Sequence, residues 1–407
     1  MIFIVILSHF IYCITKDTSN VVVINKNNKP FTMRDGQYIN GVKNVQIVNT
    51  TEIGEKAFAH NNLVIISIQE GAKKICKYAF IFCGNLESVY LPNSINEIEI
   101  KAFYFCFKLK YINIPNRIKT IAIGLFKHCR SLISIDIPES VYCIETDAFS
   151  DCESLKSVNN MKGLNIINNT AFFSCISLIS ISLPNITTIG NYTFEKCENL
   201  TSINFSDKLI KIGKFAFRNC SKLRSIIIPN GVERINNGTF LNCFDLSSAN
   251  FSIYLKIIEI DSFFGCHSIS TLQLPPNLKT IEERAFGFCT KLETITFPEC
   301  LTLIKDEAFI SCIKLKHIYI CGYTNPDISD TAFKDCYSIK QAISIKAYKD
   351  PIFGSLRVKK SAHALKQCNE KDQIKNFGLQ LKAAIVICVL IVLQIITLIV
   401  VVITRKQ

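Results

Sequence analysis

Residues 102–121 read AFYFCFKLKYINIPNRIKTI, and most of the chain repeats that sentence. Its fixed points are Phe103, Cys106, Leu109, Ile112, Ile114, Pro115, Ile118 and Ile121, which gives the pattern A-F-x-x-C-x-x-L-x-x-I-x-I-P-x-x-I-x-x-I. Working outward from it, a phenylalanine stands in the place of Phe103 thirteen times between Phe58 and Phe333, at separations of 22 to 24 residues. Three residues after each comes Cys, in a column of twelve from Cys83 to Cys336, with Asn61 in the first repeat. So constant a period over residues 45–342 marks a stack of like turns; independent globular segments would not keep it.

Each part of the unit has a physical task. The I-x-I pair has the period of two that points both side chains to one face of a short strand, and Pro ends that strand because it cannot donate to a ladder. A second apolar pair at spacing three, such as Ile118 and Ile121, turns the chain back. Gly54, Gly190 and Gly213 follow that pair, where a tight bend would call for positive φ. One coil of about 23 residues encloses too little to fold alone. Stacking gives each Phe and Leu a neighbour above and below, and burying each contributes about 1.5–3 kcal/mol, so stability is nearly a sum over neighbouring repeats.

These columns resemble the leucine-rich repeats of BspA-like surface proteins, which share the A-F-x-x-C-x-x-L sentence and its length. The resemblance implies a curved leucine-rich-repeat solenoid of about 13 repeats of about 23 residues, with short parallel strands on the concave face, turns and short helical turns elsewhere. It also implies a non-catalytic adhesion or recognition role at a cell surface, with a protein or glycan as the partner.

Within the unit, two columns flank the inward strand residues and do not repeat for packing. One runs Ser88, Tyr111, Ser134, Ser157, Ser180, Ser202, Ser225, Ser248, Thr271, Thr294, His317; the other contains Tyr90, Asn113, Asp136, Asn159, Asn204, Asn250, Gln273 and Tyr319. They would line the concave face with hydroxyl and amide groups and with tyrosines near both ends, a surface suited to hydrogen bonding with Tyr as rigid contact area. The competing explanation is that Ser and Thr simply suit an exposed, closely stacked strand column.

The cysteine column is expected to be buried as small hydrophobes. Ligands spaced by a whole coil lack the paired C-x-x-C arrangement of a zinc site. Neighbours in the column lie about 4.8 Å apart, with parallel side-chain vectors where a disulfide needs convergent ones. Off the column, a terminal disulfide between Cys300 and Cys321 is compatible with their place near one end, although nothing in the spacing requires it. His128 beside Cys129 and His267 beside Cys266 are the nearest approach to a Cys–His pair, and both cysteines belong to the inward column. No catalytic motif, metal site or cofactor loop is expected.

The two ends are read separately. Residues 1–15 begin with an apolar run of secretory-signal length but with no Lys or Arg before it; the competing role is the first strand of a cap. Residues 16–44 are expected to form an N-terminal cap with a half-repeat at Val45. The net charge of +13 is concentrated near the other end, where residues 340–382 hold ten Lys or Arg against three acidic residues. The repeats therefore lack the basic stripe of a nucleic-acid binder. Residues 343–382 would be a basic juxtamembrane linker. The segment 383–403 starts at Ala383, ends at Ile403 and carries no charge, so it would cross a membrane as a helix of about 30 Å, leaving the tail 404–407.

Orientation divides the signals. A cleaved N-terminal signal would place the solenoid outside the plasma membrane, and nine N-x-[ST] sequons (Asn49, Asn168, Asn185, Asn191, Asn199, Asn204, Asn219, Asn237, Asn250) are compatible with glycosylation on that route. The basic residues ahead of the span favour the opposite, an intracellular tail-anchored scaffold on the cytosolic face. The outside placement is preferred, because the N-terminal stretch acts first and large domains translocate regardless of loop charge.

Overall fold

In the computed structural model, the structure describes residues 2–7, 10–16, 21–323, 325–345, 348–361, 364 and 368. Each coil places two short strands in two parallel ladders. The front ladder contains the I-x-I pairs, as in Ser134–Asp136, Ser157–Asn159 and Ser225–Ile227. The back ladder is built from two-residue strands at the second apolar pair, from Lys74–Ile75 to Asp327–Ile328. Registers repeat coil by coil, with Ser134 opposite Ser157 in front and Ile121 opposite Ile144 behind. Sequence pattern foresaw only a turn where the back ladder lies, because two residues are too few to show a strand period.

The third side of the coil is an arc around the Phe. Its N–H groups also donate to the next coil: Lys101 to the Ile123 carbonyl at 3.0 Å, Phe103 to Leu125 at 3.1 Å and Phe105 to Lys127 at 3.0 Å. The positions two before and two after the Phe take positive φ, mostly without being glycine, for example Lys101 at 53° and Phe105 at 60°. That conformation costs roughly 1–2 kcal/mol per non-glycine residue, and it is what aims consecutive N–H groups along the stack.

Inside, the phenylalanines form one pile, with successive rings near parallel and centroids 4.8 Å apart at Phe58–Phe80 and 5.3 Å at Phe309–Phe333. The cysteine column lies beside it, buried as expected, with a feature that spacing did not reveal. Each of the twelve thiols donates to the carbonyl of the Phe one coil back, as Cys129 Sγ does to Phe103 at 3.2 Å and Cys197 Sγ to Phe172 at 3.3 Å. The same carbonyl accepts the N–H of the Cys in its own coil, as Phe103 does from Cys106 at 3.3 Å. Asn61, the one departure, does the same work with an amide: its Nδ2 donates to the Gly36 carbonyl at 3.2 Å, tying the first repeat to the helix Met33–Tyr38.

The glycine expectation is corrected. Gly54, Gly190 and Gly213 do not take positive φ; they are needed because a Cβ would strike the neighbouring coil, at 2.5 Å from Asn169 N for Gly190 and 2.3 Å from the Gly190 carbonyl carbon for Gly213.

Both ends of the stack extend further than expected. The strand Val22–Phe31 pairs parallel with Asn44–Ile53 in the repeat register, Val22 opposite Val45, and Phe31 stacks on Phe58 at 4.6 Å. Within the expected cap 16–44, residues 22–44 therefore hold a coil in register, closed by a buried Lys26–Asp35 ion pair at 2.7 Å. Ahead of it, the backbone of Ile2–Leu7 and Phe10–Lys16 forms an antiparallel hairpin that pairs with Val22–Phe31. At the other end, Ala342–Ser344 and Leu356–Lys360 continue the front ladder, and Tyr348 and Phe353 are buried. The first part of the expected linker 343–382 is thus a cap, because its apolar residues cover the last open coil. The disulfide joins Cys321 to Cys368, not to Cys300, which remains an exposed thiol. The span expected at 383–403 lies outside the described residues, among which no helix is long and apolar enough to cross a membrane.

Two outcomes follow. Burial pushes the column thiols up from an ordinary value of 9.0, Cys83 to about 12. A folded value above the unfolded one means the stability is complete below about pH 9 and is lost as pH rises, by about 1.4 kcal/mol per pH unit for each such thiol. Melting temperature should hold to about pH 8.5 and then fall steeply; changing Cys129, Cys197 and Cys243 to Ala should flatten the fall, and an unchanged slope would assign the titration to other groups. Separately, Cys321→Ser with Cys368→Ser opens a loop whose ends are 47 residues apart, and denaturant titration should register a loss of up to about 4 kcal/mol.

Candidate functional site

The front ladder turns alternate side chains outward, because successive strand residues point to opposite faces. In the strand Ser134–Asp136 the middle Ile135 is buried while Ser134 and Asp136 are exposed, and Ser202 and Asn204, Thr271 and Gln273 repeat the arrangement. The two polar columns therefore share one face, as expected of them.

Their members are not equivalent. Tyr90 and Tyr111 are about half exposed, at 46% and 49%, with ring centroids 5.3 Å apart and planes tilted by 42°. Asn113 is partly buried and its amide brackets a backbone group, accepting from Leu91 N at 2.8 Å and donating to Leu91 O at 2.7 Å. Asp136 and Asn159 are joined across the ladder, Nδ2 to Oδ1 at 2.8 Å. Asn204, Gln273 and His317 are exposed and Asn250 is partly buried. Tyr319 is the correction: it is only 7% exposed. The stack does not stop there, and the following strands place Ile343 and then Lys359 beside it in register.

Three of the ten candidates meet in a cavity of about 440 Å³ between neighbouring coils, lined by Tyr111, Asn113, Ser134, Asp136 and Asn160 among others. Asn160 was not among the residues singled out from the sequence. The available signal was its position, one where the repeat otherwise calls for an apolar residue.

The sequons separate by what their amides already hold. Nδ2 of Asn168 donates to Glu145 at 2.7 Å, that of Asn185 to the Lys162 carbonyl at 2.8 Å and that of Asn199 to the Ile176 carbonyl at 2.8 Å. Asn49 donates to Asn25 at 3.2 Å and Asn219 accepts from Asn242 at 3.1 Å. Asn191 accepts from the Lys214 N–H at 2.9 Å, and the Asn237 backbone N–H is held by Glu259 at 2.9 Å. Asn204 and Asn250 lie on the front face.

The Cys–His neighbours do not converge. Cys129 Sγ is directed to the Phe103 carbonyl, whereas the His128 ring stacks on Phe105 at 4.2 Å and lies 3.5 Å from Asp151. Burial holds His128 below the usual histidine range despite that carboxylate. The stack His60, Phe82, Phe105, His128 runs along the arc two residues beyond each core Phe, with centroids 5.0, 4.9 and 4.2 Å apart.

A coil of about 23 residues with a front and a back parallel ladder, a phenylalanine spine and a cysteine column defines a leucine-rich-repeat solenoid. More narrowly, the chain matches the BspA type leucine-rich repeat region, in six copies over residues 37–133, 119–247 and 233–349, and it belongs to that family. A leucine-rich repeat protein from Bacteroides ovatus is similar in fold, with 24% identity and a TM-score of 0.61 over 79% of this chain and 93% of that one. A leucine rich cell surface protein from Faecalibacterium prausnitzii is 22% identical over 87% of this chain and 95% of its own, with a TM-score of 0.42. The pneumococcal vaccine antigen PcpA is 16% identical over 90% and 96%, with a TM-score of 0.47. No curated protein matches the chain.

The different duties of two front-face residues are measurable. Asn113→Ala strips both partners from the Leu91 peptide and should lower stability by about 1–3 kcal/mol, whereas Gln273→Ala on the open face should stay within about 0.5 kcal/mol. Thermal melts of the two variants make the comparison, and equal losses would contradict it.

Proposed function

We propose that the chain is a non-catalytic recognition protein held at the cell surface, binding a protein or glycan through the front face, the concave one in a solenoid of this class. The observation that carries this is the pair of outward columns: most of their side chains are polar and at least partly exposed, with Asp136 the one carboxylate among them, while the intervening column fills the core. Packing explains the middle residue of each strand and leaves the flanking ones to solvent or a partner. Membrane attachment is assigned to 383–403 and rests on that segment's length and lack of charge.

Placement of the solenoid outside is supported by the Cys321–Cys368 bond, since disulfides persist in oxidising compartments. The cytosolic scaffold is favoured by a different observation, the fifteen free cysteines among the described residues, most of them buried. Buried thiols are inert in either compartment, so they weigh less than the bond.

Protease treatment of intact cells, combined with N-glycan removal, separates the two. The outside reading expects the solenoid to be digested and its mass to drop on deglycosylation, with Asn204→Gln removing one increment. Full protection without a mass change would install the cytosolic scaffold instead.

A further inference from the structure

From Ile68 to Ile320, the second apolar residue of the I-x-I pair is apolar in every coil except one, where it is Asn160. The chain departs from the repeat to accommodate it. Asn160 takes φ 59°, and a 3₁₀ turn Met161–Gly163 follows, dropping Met161 into the core at 4% exposure in place of the missing aliphatic. The amide is thereby left exposed on the wall of the cavity that Tyr111 and Asp136 also line. The coil that gives up its packing residue is thus one that lines the front-face cavity.

We propose that this cavity is a binding site for a neutral pyranose unit of a glycan, an assignment that rests on the front-face recognition role and narrows it. Its volume, about 440 Å³, falls in the range of roughly 300–1,000 Å³ typical of small-ligand sites. Tyr111, tilted against Tyr90, offers an aromatic face to the apolar side of a sugar ring. Asp136 gives one carboxylate oxygen to Asn159, and its second carries no protein hydrogen bond among the described residues, so it can accept from a sugar hydroxyl. The amide of Asn160 and the hydroxyl of Ser134 both donate and accept, as the alternating hydroxyls of a sugar require.

Charge selects against the alternatives. Lys110 on the wall is paired with Glu87 at 2.9 Å and Glu139 with Lys162 at 3.6 Å, leaving the Asp136 carboxylate to set a negative balance that repels phosphate, sulfate and sialic acid. A cationic peptide would satisfy the carboxylates but leave the amide and hydroxyl donors without acceptors. The front-face sequons Asn204 and Asn250 lie on strands two and four coils beyond Ser157–Asn159, so neither attachment point is on the wall of this cavity.

The test titrates the purified full chain against neutral oligosaccharides built from glucose, galactose, mannose or N-acetylglucosamine, with a sulfated, a sialylated and a lysine-rich peptide probe beside them. A neutral saccharide should bind, and Tyr111→Ala, Asp136→Ala and Asn160→Gly should each weaken it at least about tenfold, the loss expected when a buried hydrogen bond or stacking contact goes. Asn160→Gly keeps the positive φ of 59° at no steric cost, so its melting temperature should be little changed while binding is lost, which separates the site from the fold. Preference for the sulfated, sialylated or lysine-rich probe, absence of saccharide binding, or indifference to all three substitutions would overturn the assignment. Cell adhesion lost with substitutions at Ser225 and Gln273 but kept in the three cavity variants would reject the sugar site alone; adhesion indifferent to every front-face substitution would reject both.

Discussion

Everything in this molecule depends on the coil-to-coil contact at the Phe–Cys step. A phenyl ring stacks on the ring one coil back, and the neighbouring thiol donates to that same residue's carbonyl, 3.2 Å in the case of Cys129 and Phe103. Neither interaction is strong alone. Repeated twelve times for the thiol, they fix the rise and register of each coil on the last, and the front and back ladders inherit that register. Cys suits the place because it is small, apolar enough to bury and still able to donate weakly to a carbonyl already engaged by a backbone N–H. Asn61 shows that the donor is required: where the thiol is replaced, an amide takes over the bond to the preceding coil.

Much of this was legible in the sequence because packing speaks in periods. The Phe, Cys, Leu and I-x-I columns each have one environment in every coil, so thirteen copies of the pattern reported it. What the period could not convey was anything occurring once. The Cys321–Cys368 pairing depends on where the strand Leu356–Lys360 brings the chain, and no spacing encodes that. Tyr319 looked like its column neighbours, yet the coils after it bury it. The misjudged glycines teach a related lesson: Gly190 and Gly213 are set by what lies one coil away, 2.5 Å or less from an absent Cβ, and not by their own backbone angles.

For the front face, the sequence identified the right columns but not the difference among their members. Asn113 and Asp136 sit in successive coils of one column, yet the first is committed to the Leu91 peptide and the second keeps an oxygen for the cavity. A repeat protein writes its core in the residues that recur and its specificity in those that do not. The single Asn160, displacing an aliphatic at the expense of a regular turn, belongs to the second kind.

The Cys321–Cys368 bond also decides how the stack would bear tension. A pull exerted on the chain beyond Cys368 does not travel through the strand Leu356–Lys360; the covalent bridge carries it directly to Cys321, one residue past the strand His317–Ile320. The segment between the two cysteines is thereby removed from the load path, and the first coils to peel under force are those whose strands are paired on both sides in the interior ladder. A load entering from that end therefore meets a strand paired on both sides, with Thr294–Phe297 and with Ala342–Ser344.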